Sequence, residues 1–355
     1  MILVTGGAGF IGSNFVINWL RASDEPVINV DALTYAGNLT NLRSLDGHSG
    51  HIFVHGDIRD RPTMDRALHE RRPRAIVHFA AESHVDRSIH GPAAFMQTNV
   101  IGTFTLLEAT RQYLSSLTSE ERTAFRFIHV STDEVYGSLS ATEAPFSEAH
   151  PHRPNSPYAA SKAASDHLVR AWHQTYGVPV ITTNCSNNYG PYQFPEKLIP
   201  LIIVNAIVGK PLPVYGDGLQ VRDWLYVDDH CAAIRRVLSH GRVGETYNIG
   251  GSNEKTNIEI VRLVCGFLDQ LRPDAAGHYA RLITFVDDRP GHDRRYAIDA
   301  GKLMRELNWY PADTFHSGIQ KTVRWYLQNL DWVSSVVSGN YREWVTLNYA
   351  ARSSN

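Results

Sequence analysis

The sequence predicts an α/β fold: a doubly wound parallel sheet followed by a smaller, mixed α/β lobe. Three observations carry this. Short apolar runs alternate with helical patterns through the first half of the chain. The first run leads straight into a Gly-rich turn, in "MILVTGGAGFIG" (1–12). From about residue 186 the alternation weakens, and Pro, Asn and Arg become commoner. Strand and helix in regular alternation place parallel strands side by side with helices on both faces.

The elements follow in order. "MILVTGGAGFIGSNFVINWLRA" is a strand, a turn and a helix. Gly6 permits a tight turn, Gly9 lets the backbone approach a pyrophosphate, and Gly12 lets the helix pack closely on the strand. The helix N-terminus then presents free N–H groups and a positive dipole end to phosphate. "VINVD" ends in Asp31, about 20 residues on, where a carboxylate binds adenosine ribose hydroxyls and repels a 2′-phosphate. The pattern predicts a Rossmann-type site that takes NAD rather than NADP. Further strands are expected in "HIFVHGD" to Asp57, "AIVHFAA" to Ala81, "RFIHVS" to Ser131 and "VPVITTNCSN" from 178. Ligands of such sheets sit beyond the carboxyl ends of the strands, which gathers the Gly loop, Asp31, Asp57, Ser83 and Thr132–Glu134 at one edge.

"NSPYAASKAASDHLVRAWHQTYG" (155–177) reads as a long helix, with Ser156 as N-cap, Pro157 in the first turn and Gly177 as stop. Tyr158 and Lys162 are one turn apart on one face. A nearby ammonium stabilises phenolate, which makes Tyr158 the candidate base for an alcohol proton. "STDEVYG" (131–137) sets Asp133 beside Glu134. Neighbouring carboxyls are driven apart in pKa by repulsion and desolvation, giving an acid and a base. Successive side chains on an extended segment point to opposite sides. The pair therefore faces one ligand only if the chain turns after Thr132 or the ligand lies across the strand end.

Composition excludes several classes. The 355 residues are 43% hydrophobic with a net charge of -2, enough chain for a large core. That charge offers no footprint for nucleic acid or an anionic membrane. Cys185, Cys231 and Cys265 are scattered, with no CxxC pair, as expected in a reducing cytosol. The start of the chain shows no basic n-region or small-residue cleavage site, so no signal peptide is expected. No apolar run approaches the roughly 20 residues of a membrane span. The 17 histidines show no HExxH spacing, so no metal is expected. His78 and His129 lie inside strands and are expected in the core.

"TGGAGFIG", Tyr158-x-x-x-Lys162 and the alternation resemble the extended short-chain dehydrogenase/reductase superfamily. More narrowly, "AAESHVDRS" (80–88), "STDEVYG", "SPYAASK", "TNCSNNYGPYQFPEKLIPL" (183–201), "VRDWLYVDDH" (221–230) and "RPGHDRRYAID" (289–299) resemble the dTDP-glucose 4,6-dehydratase family. The resemblance runs almost end to end. Its one departure, a shorter stretch between Tyr136 and Pro157, touches no motif.

The resemblance implies an NAD-binding domain over 1–185, to which 220–252 returns, and a sugar-nucleotide lobe over 186–219 and 253–355. It assigns Gly6, Gly9, Phe10, Ile11, Gly12, Asp31, Ala32, Leu33, Thr34, Asp57, Ile58, Ala80, Ala81, Ser83, Thr98, Tyr158, Lys162 and Asn188 to NAD. To dTDP-glucose it assigns Ser83, Thr132, Asn187, Glu196, Lys197, Leu198, Pro213, Val214, Tyr215, Arg222, Asn257, Arg289 and His292. Arg222 and Arg289 suit a pyrophosphate, which guanidinium grips in a bidentate way; Tyr215 suits stacking on a pyrimidine. In the implied chemistry Tyr158, with Lys162 and Thr132, serves oxidation at C4 by NAD. Glu134 then takes the C5 proton, Asp133 protonates the departing C6 hydroxyl, and hydride returns to C6. A 4-epimerase would need Tyr158 and Lys162 but not the acid pair, and a non-catalytic sensor would need neither. The family also implies a cytoplasmic homodimer, formed by the helix near 94–116 and the Tyr158 helix in a four-helix bundle.

Overall fold

The computed structural model describes residues 1–337; the end of the expected second lobe, 338–355, lies outside them. The first half of the chain contributes β1 (Ile2–Thr5), β2 (Val27–Asp31), β3 (His51–His55), β4 (Ala75–His78), β5 (Arg126–Thr132) and β6 (Val180–Cys185). After these come β7 (Asn187–Tyr189), β8 (Leu212–Tyr215), β9 (Val221–Tyr226), β10 (Thr246–Ile249), β11 (Glu254–Thr256) and β12 (Ile283–Val286).

Seven strands form one sheet in the order β10-β6-β5-β4-β1-β2-β3, with every pairing parallel. Adjacent residues of a strand feed opposite faces. Ile2 and Val4 of β1 pack with Phe15, Val16 and Trp19 of the helix Phe10–Ala22. Leu3, between them, packs on the other side with Met64, Leu107 and Val169. Both faces are apolar because both are covered, so the strands read as continuous apolar runs rather than alternating ones. Each such side chain, fully buried, contributes about 1.5–3 kcal/mol. The winding reverses at β1, which has β2 on one side and β4 on the other. That is the switch point, beyond whose carboxyl ends a crevice opens.

Of the stretch 220–252, the helix Val227–His240 packs on the helix Phe10–Ala22 and β10 extends the large sheet beside β6. β9 instead pairs with β7 and β11 in a three-stranded sheet, while β8 and β12 form a parallel pair. The helices Leu198–Ile207, Asn257–Leu271 and Phe315–Gln328 cover these small sheets with their own apolar cluster.

Two elements depart from the sequence reading. The run from 178 is two strands, not one: β6 ends at Cys185, Ser186 N–H bonds to Ile249 O at 3.0 Å, and β7 leaves for the small sheet. The helix near 94–116 begins at Pro92 and carries a π-turn, Met96–Gly102, before regular helix resumes at Thr103. Inside that turn Asn99 Nδ2 donates to Glu82 O at 2.9 Å, and Asn99 Oδ1 accepts from Glu82 N–H at 2.8 Å. The widened turn thus braces the loop after β4.

Candidate active site

The Gly-rich turn is shaped by what a side chain would strike. Gly6 has φ 73°, and a Cβ there would lie 2.6 Å from Ala80 N. A Cβ on Gly12 would lie 2.1 Å from Gly6 O, so at this position the helix comes up against the turn, while its later residues pack on the strand. A Cβ on Gly9 would meet only Gly6 O, at 3.3 Å, because Gly9 borders a cavity of about 390 Å³. Asp31, at the end of β2, accepts from Ala8 N–H and Leu33 N–H, both at 2.8 Å. Burial pushes its carboxyl up and these two bonds pull it back. Every residue expected at NAD lines the cavity except Leu33. Leu33 adopts φ 51° to hand its N–H to Asp31, and its side chain packs against the core. A cradle that any Cβ would fill, an acid at its rim and a cavity of this size fit a dinucleotide. Sequence reasoning missed Arg59, whose guanidinium bonds Asp57 at 2.5 Å beside the same cavity.

The helix Pro157–Tyr176 has the expected ends: Ser156 Oγ accepts from Ala159 N–H at 3.1 Å, and Gly177 is left-handed at φ 69°. Tyr158 and Lys162 both line the cavity. Lys162 Nζ donates to Val130 O at 2.9 Å. The expected lowering of Tyr158 is not found. Burial first, then the Glu134 carboxylate, hold its phenol well above the usual tyrosine range, against a downward pull from Thr132. Burial in turn pushes the Lys162 ammonium down. Behind them Asp166 accepts from Ser131 Oγ at 2.9 Å and pairs with His129 at 3.0 Å. His78 and His129 are core residues, and burial pushes both imidazoles down, in His129 against the upward pull of Asp166.

The chain does turn after Thr132. Asp133–Tyr136 is a single 3₁₀ turn, capped by Thr132 Oγ1 accepting from Glu134 N–H at 3.3 Å. The turn sends the two acids into different surroundings. Glu134 borders the cofactor cavity and a second cavity of about 140 Å³. Burial raises its carboxyl, while Arg289, Lys197 and Arg222 pull it down. Asp133 is 1% exposed and lines neither cavity. Its Oδ1 meets Thr132 Oγ1 at 3.3 Å, and its Oδ2 has no hydrogen-bond partner. Burial, Glu134 and Asp223 hold it far above the usual carboxyl range. One carboxyl is thus set to stay protonated while the other faces three cations.

The second cavity gathers the residues expected at the sugar nucleotide: Asn187, Glu196, Lys197, Leu198, Pro213, Val214, Tyr215, Arg222, Asn257, Arg289 and His292. Ser83 and Thr132 border the first cavity instead. The cavities share Glu134, Asn187, Asn188, Gln193, Glu196 and Lys197. Two of these side chains also have partners across the cavity rim. Glu196 is tied to Arg87 Nε at 2.8 Å, and Arg289 to Asp86 at 3.0 Å. Asp86 lay inside a quoted motif, but no signal marked its role.

A family model described as GDP-mannose 4,6 dehydratase matches residues 3–322. A dTDP-glucose 4,6-dehydratase of Xanthomonas campestris pv. campestris is 63% identical over 341 residues, 96% of this chain and 97% of the relative. One from Neisseria meningitidis serogroup B is 58% identical, over 96% of this chain and 97% of its own. Among solved structures, the dTDP-glucose 4,6-dehydratase of Bacillus anthracis in complex with NAD superposes with a TM-score of 0.83 at 50% identity, over 94% of this chain and 99% of that one. The chain belongs to the GDP-mannose 4,6 dehydratase family and, by these identities along nearly the whole length, groups within it with the dTDP-glucose 4,6-dehydratases.

Proposed function

We propose that the chain is an NAD-dependent hydro-lyase converting dTDP-glucose to dTDP-4-keto-6-deoxyglucose and water. The observation that carries this is Glu134 at the junction of the two cavities, with Tyr158 on one side and Arg222, Arg289 and Lys197 on the other. The residues of the Gly loop, Asp31, Asp57, Thr98 and Asn188 hold the cofactor, and the smaller cavity takes the nucleotide sugar. NAD, when bound, supplies the acceptor that takes hydride from sugar C4 and returns it to C6. Tyr158 takes the proton of the C4 hydroxyl, and Thr132 bonds the same oxygen. The 4-keto group acidifies C5, and Glu134 removes that proton and later restores it. Asp133 supplies the proton that lets the C6 oxygen leave as water. Protonated, Asp133 faces the cavity through the Thr132 hydroxyl, with which it is already in contact.

The domain division proposed is residues 1–185, with the helix Val227–His240 and β10, for the cofactor, and the remainder for the nucleotide sugar. A homodimer is supported by Met96, Ile101 and Phe104, which lie 39%, 45% and 40% exposed along one helix. Trp172 and Tyr176 of the neighbouring helix extend that apolar face. The three free, buried cysteines support a reducing cytoplasm. Among the described residues no helix is long and apolar enough to cross a membrane.

The test is incubation with a panel of nucleotide hexoses, scored by mass for loss of one water. Conversion of dTDP-glucose is expected. Epimerisation without loss of water would refute the dehydratase reading.

A further inference from the structure

We infer that Asp86 is a positioning residue for the nucleotide subsite: its carboxylate holds Arg289 and Tyr215, both from the smaller lobe, against the cofactor domain. This rests on the reading of Arg289 as a ligand of the substrate diphosphate.

Asp86 lies just beyond β4, in the first turn of the helix Val85–His90. Its Oδ1 accepts from Arg289 Nη1 at 3.0 Å, and its Oδ2 accepts from Tyr215 Oη at 2.8 Å. The Asp86 side chain is 3% exposed and that of Arg289 17%. One carboxylate therefore joins three places in the chain that meet only in the folded molecule. Its neighbours do the same. Ser83 O accepts from Lys197 Nζ at 2.8 Å, and Arg87 pairs with Glu196 at 2.8 Å. Residues 83–87 thus tie the cofactor domain to the smaller lobe at the edge of the smaller cavity.

Arg289 Nε is buried with no hydrogen-bond partner. Asp86 engages one end of the guanidinium and leaves a donor for another acceptor. Two opposite effects would follow from removing the Asp86 charge. A competing anion would go, which favours a diphosphate. The guanidinium would also lose its anchor, and it would stand unneutralised beside Arg222 and Lys197 on the same cavity wall. The second effect dominates. Two other cations already supply the positive field, whereas a planar fork binds phosphate well only when its orientation is held.

The experiment compares the NAD-loaded wild type with Asp86→Asn, Arg289→Gln and the double variant. KM and kcat are measured with dTDP-glucose, dTDP affinity by calorimetry, and folding by thermal melting. Asp86→Asn is expected to raise KM and the dTDP Kd about tenfold, the scale of one charge-assisted hydrogen bond, with KM rising more than kcat falls. Arg289→Gln should weaken both at least as much. The double variant should lose less than the product of the two single losses, because Asp86 acts mainly through Arg289 and only for the remainder through Tyr215. Should Asp86→Asn leave a buried cation that prevents folding, the double variant has none, and its comparison with Arg289→Gln decides. Effects that multiply, or an Asp86→Asn enzyme with wild-type KM, overturn the proposal. An Arg289→Gln enzyme with unchanged dTDP affinity would instead sink the reading of Arg289 itself.

Discussion

Asp133 and Glu134 share a peptide bond and little else. The Glu134 carboxyl is raised by burial but opposed by Arg289, Lys197 and Arg222, whereas Asp133 is raised by burial and by Glu134 and Asp223. Asp133→Asn should still permit oxidation at C4 and then stall. Reduced cofactor is expected to accumulate in a single turnover, with overall rate down about 10²–10⁴-fold. Tyr158→Phe should instead slow oxidation itself, so that little reduced cofactor forms; wild-type turnover by Asp133→Asn would show that another group is the acid. A base must be ionised. Because Glu134 is raised above its usual 4.5, exchange of the C5 hydrogen with deuterated solvent should fall on acidification at a pH above that value. Glu134→Gln should abolish the exchange. Asp133 also bears on stability. Its folded-state value lies above the ordinary 3.8, so its contribution is fully present below 3.8 and is lost as pH rises toward the folded value. Asp133→Asn should therefore melt with the wild type near pH 4 and above it at pH 8, by roughly 2–4 °C per kcal/mol recovered. Equal melting at both would argue against a buried, strained proton site.

At the scale of elements, the Gly-rich turn is the part that tolerates least. A Cβ at Gly12 would strike Gly6 O at 2.1 Å, a backbone atom with no freedom to rotate away. Gly12→Ala should raise the NAD Kd at least about tenfold and lower the melting temperature, both readable by calorimetry. The turn was legible because most of its cause is local: Gly9 and Gly12 both come up against the backbone of Gly6, while only Gly6 itself meets a distant segment, at Ala80 N. So was the helix Pro157–Tyr176, whose cap and stop bond within their own turns. The division of the run from 178 was not legible. No Gly or Pro interrupts the chain across Ser186, and β6 and β7 are set apart by their partners, β5 and β10 on one side and β9 on the other. The π-turn at Met96–Gly102 was hidden for the same reason: Asn99 holds Glu82, in another element.

At the scale of the molecule, the proposed homodimer would cover the exposed face of Met96, Ile101 and Phe104. Phe104→Arg should shift sedimentation from a dimer to a single chain; an unchanged dimer would place the interface elsewhere. The fold class followed from the sequence because strands covered on both faces must be apolar throughout, and that pattern is written in consecutive residues. The expectation of NAD followed from the Gly-rich turn and one acid at the end of β2. The acid and base types of the site were likewise visible as a short run. What lay beyond the sequence is everything decided by distant partners. Asp86 meets Tyr215 and Arg289 across separations of 129 and 203 residues. Lys162 spends its ammonium on Val130 O, and Tyr158 feels burial and Glu134 more than its helix neighbour. Periodicity and caps act over a few residues and can be read along the chain. Burial and buried charge depend on which segments the fold brings together, and that only the tertiary structure decides.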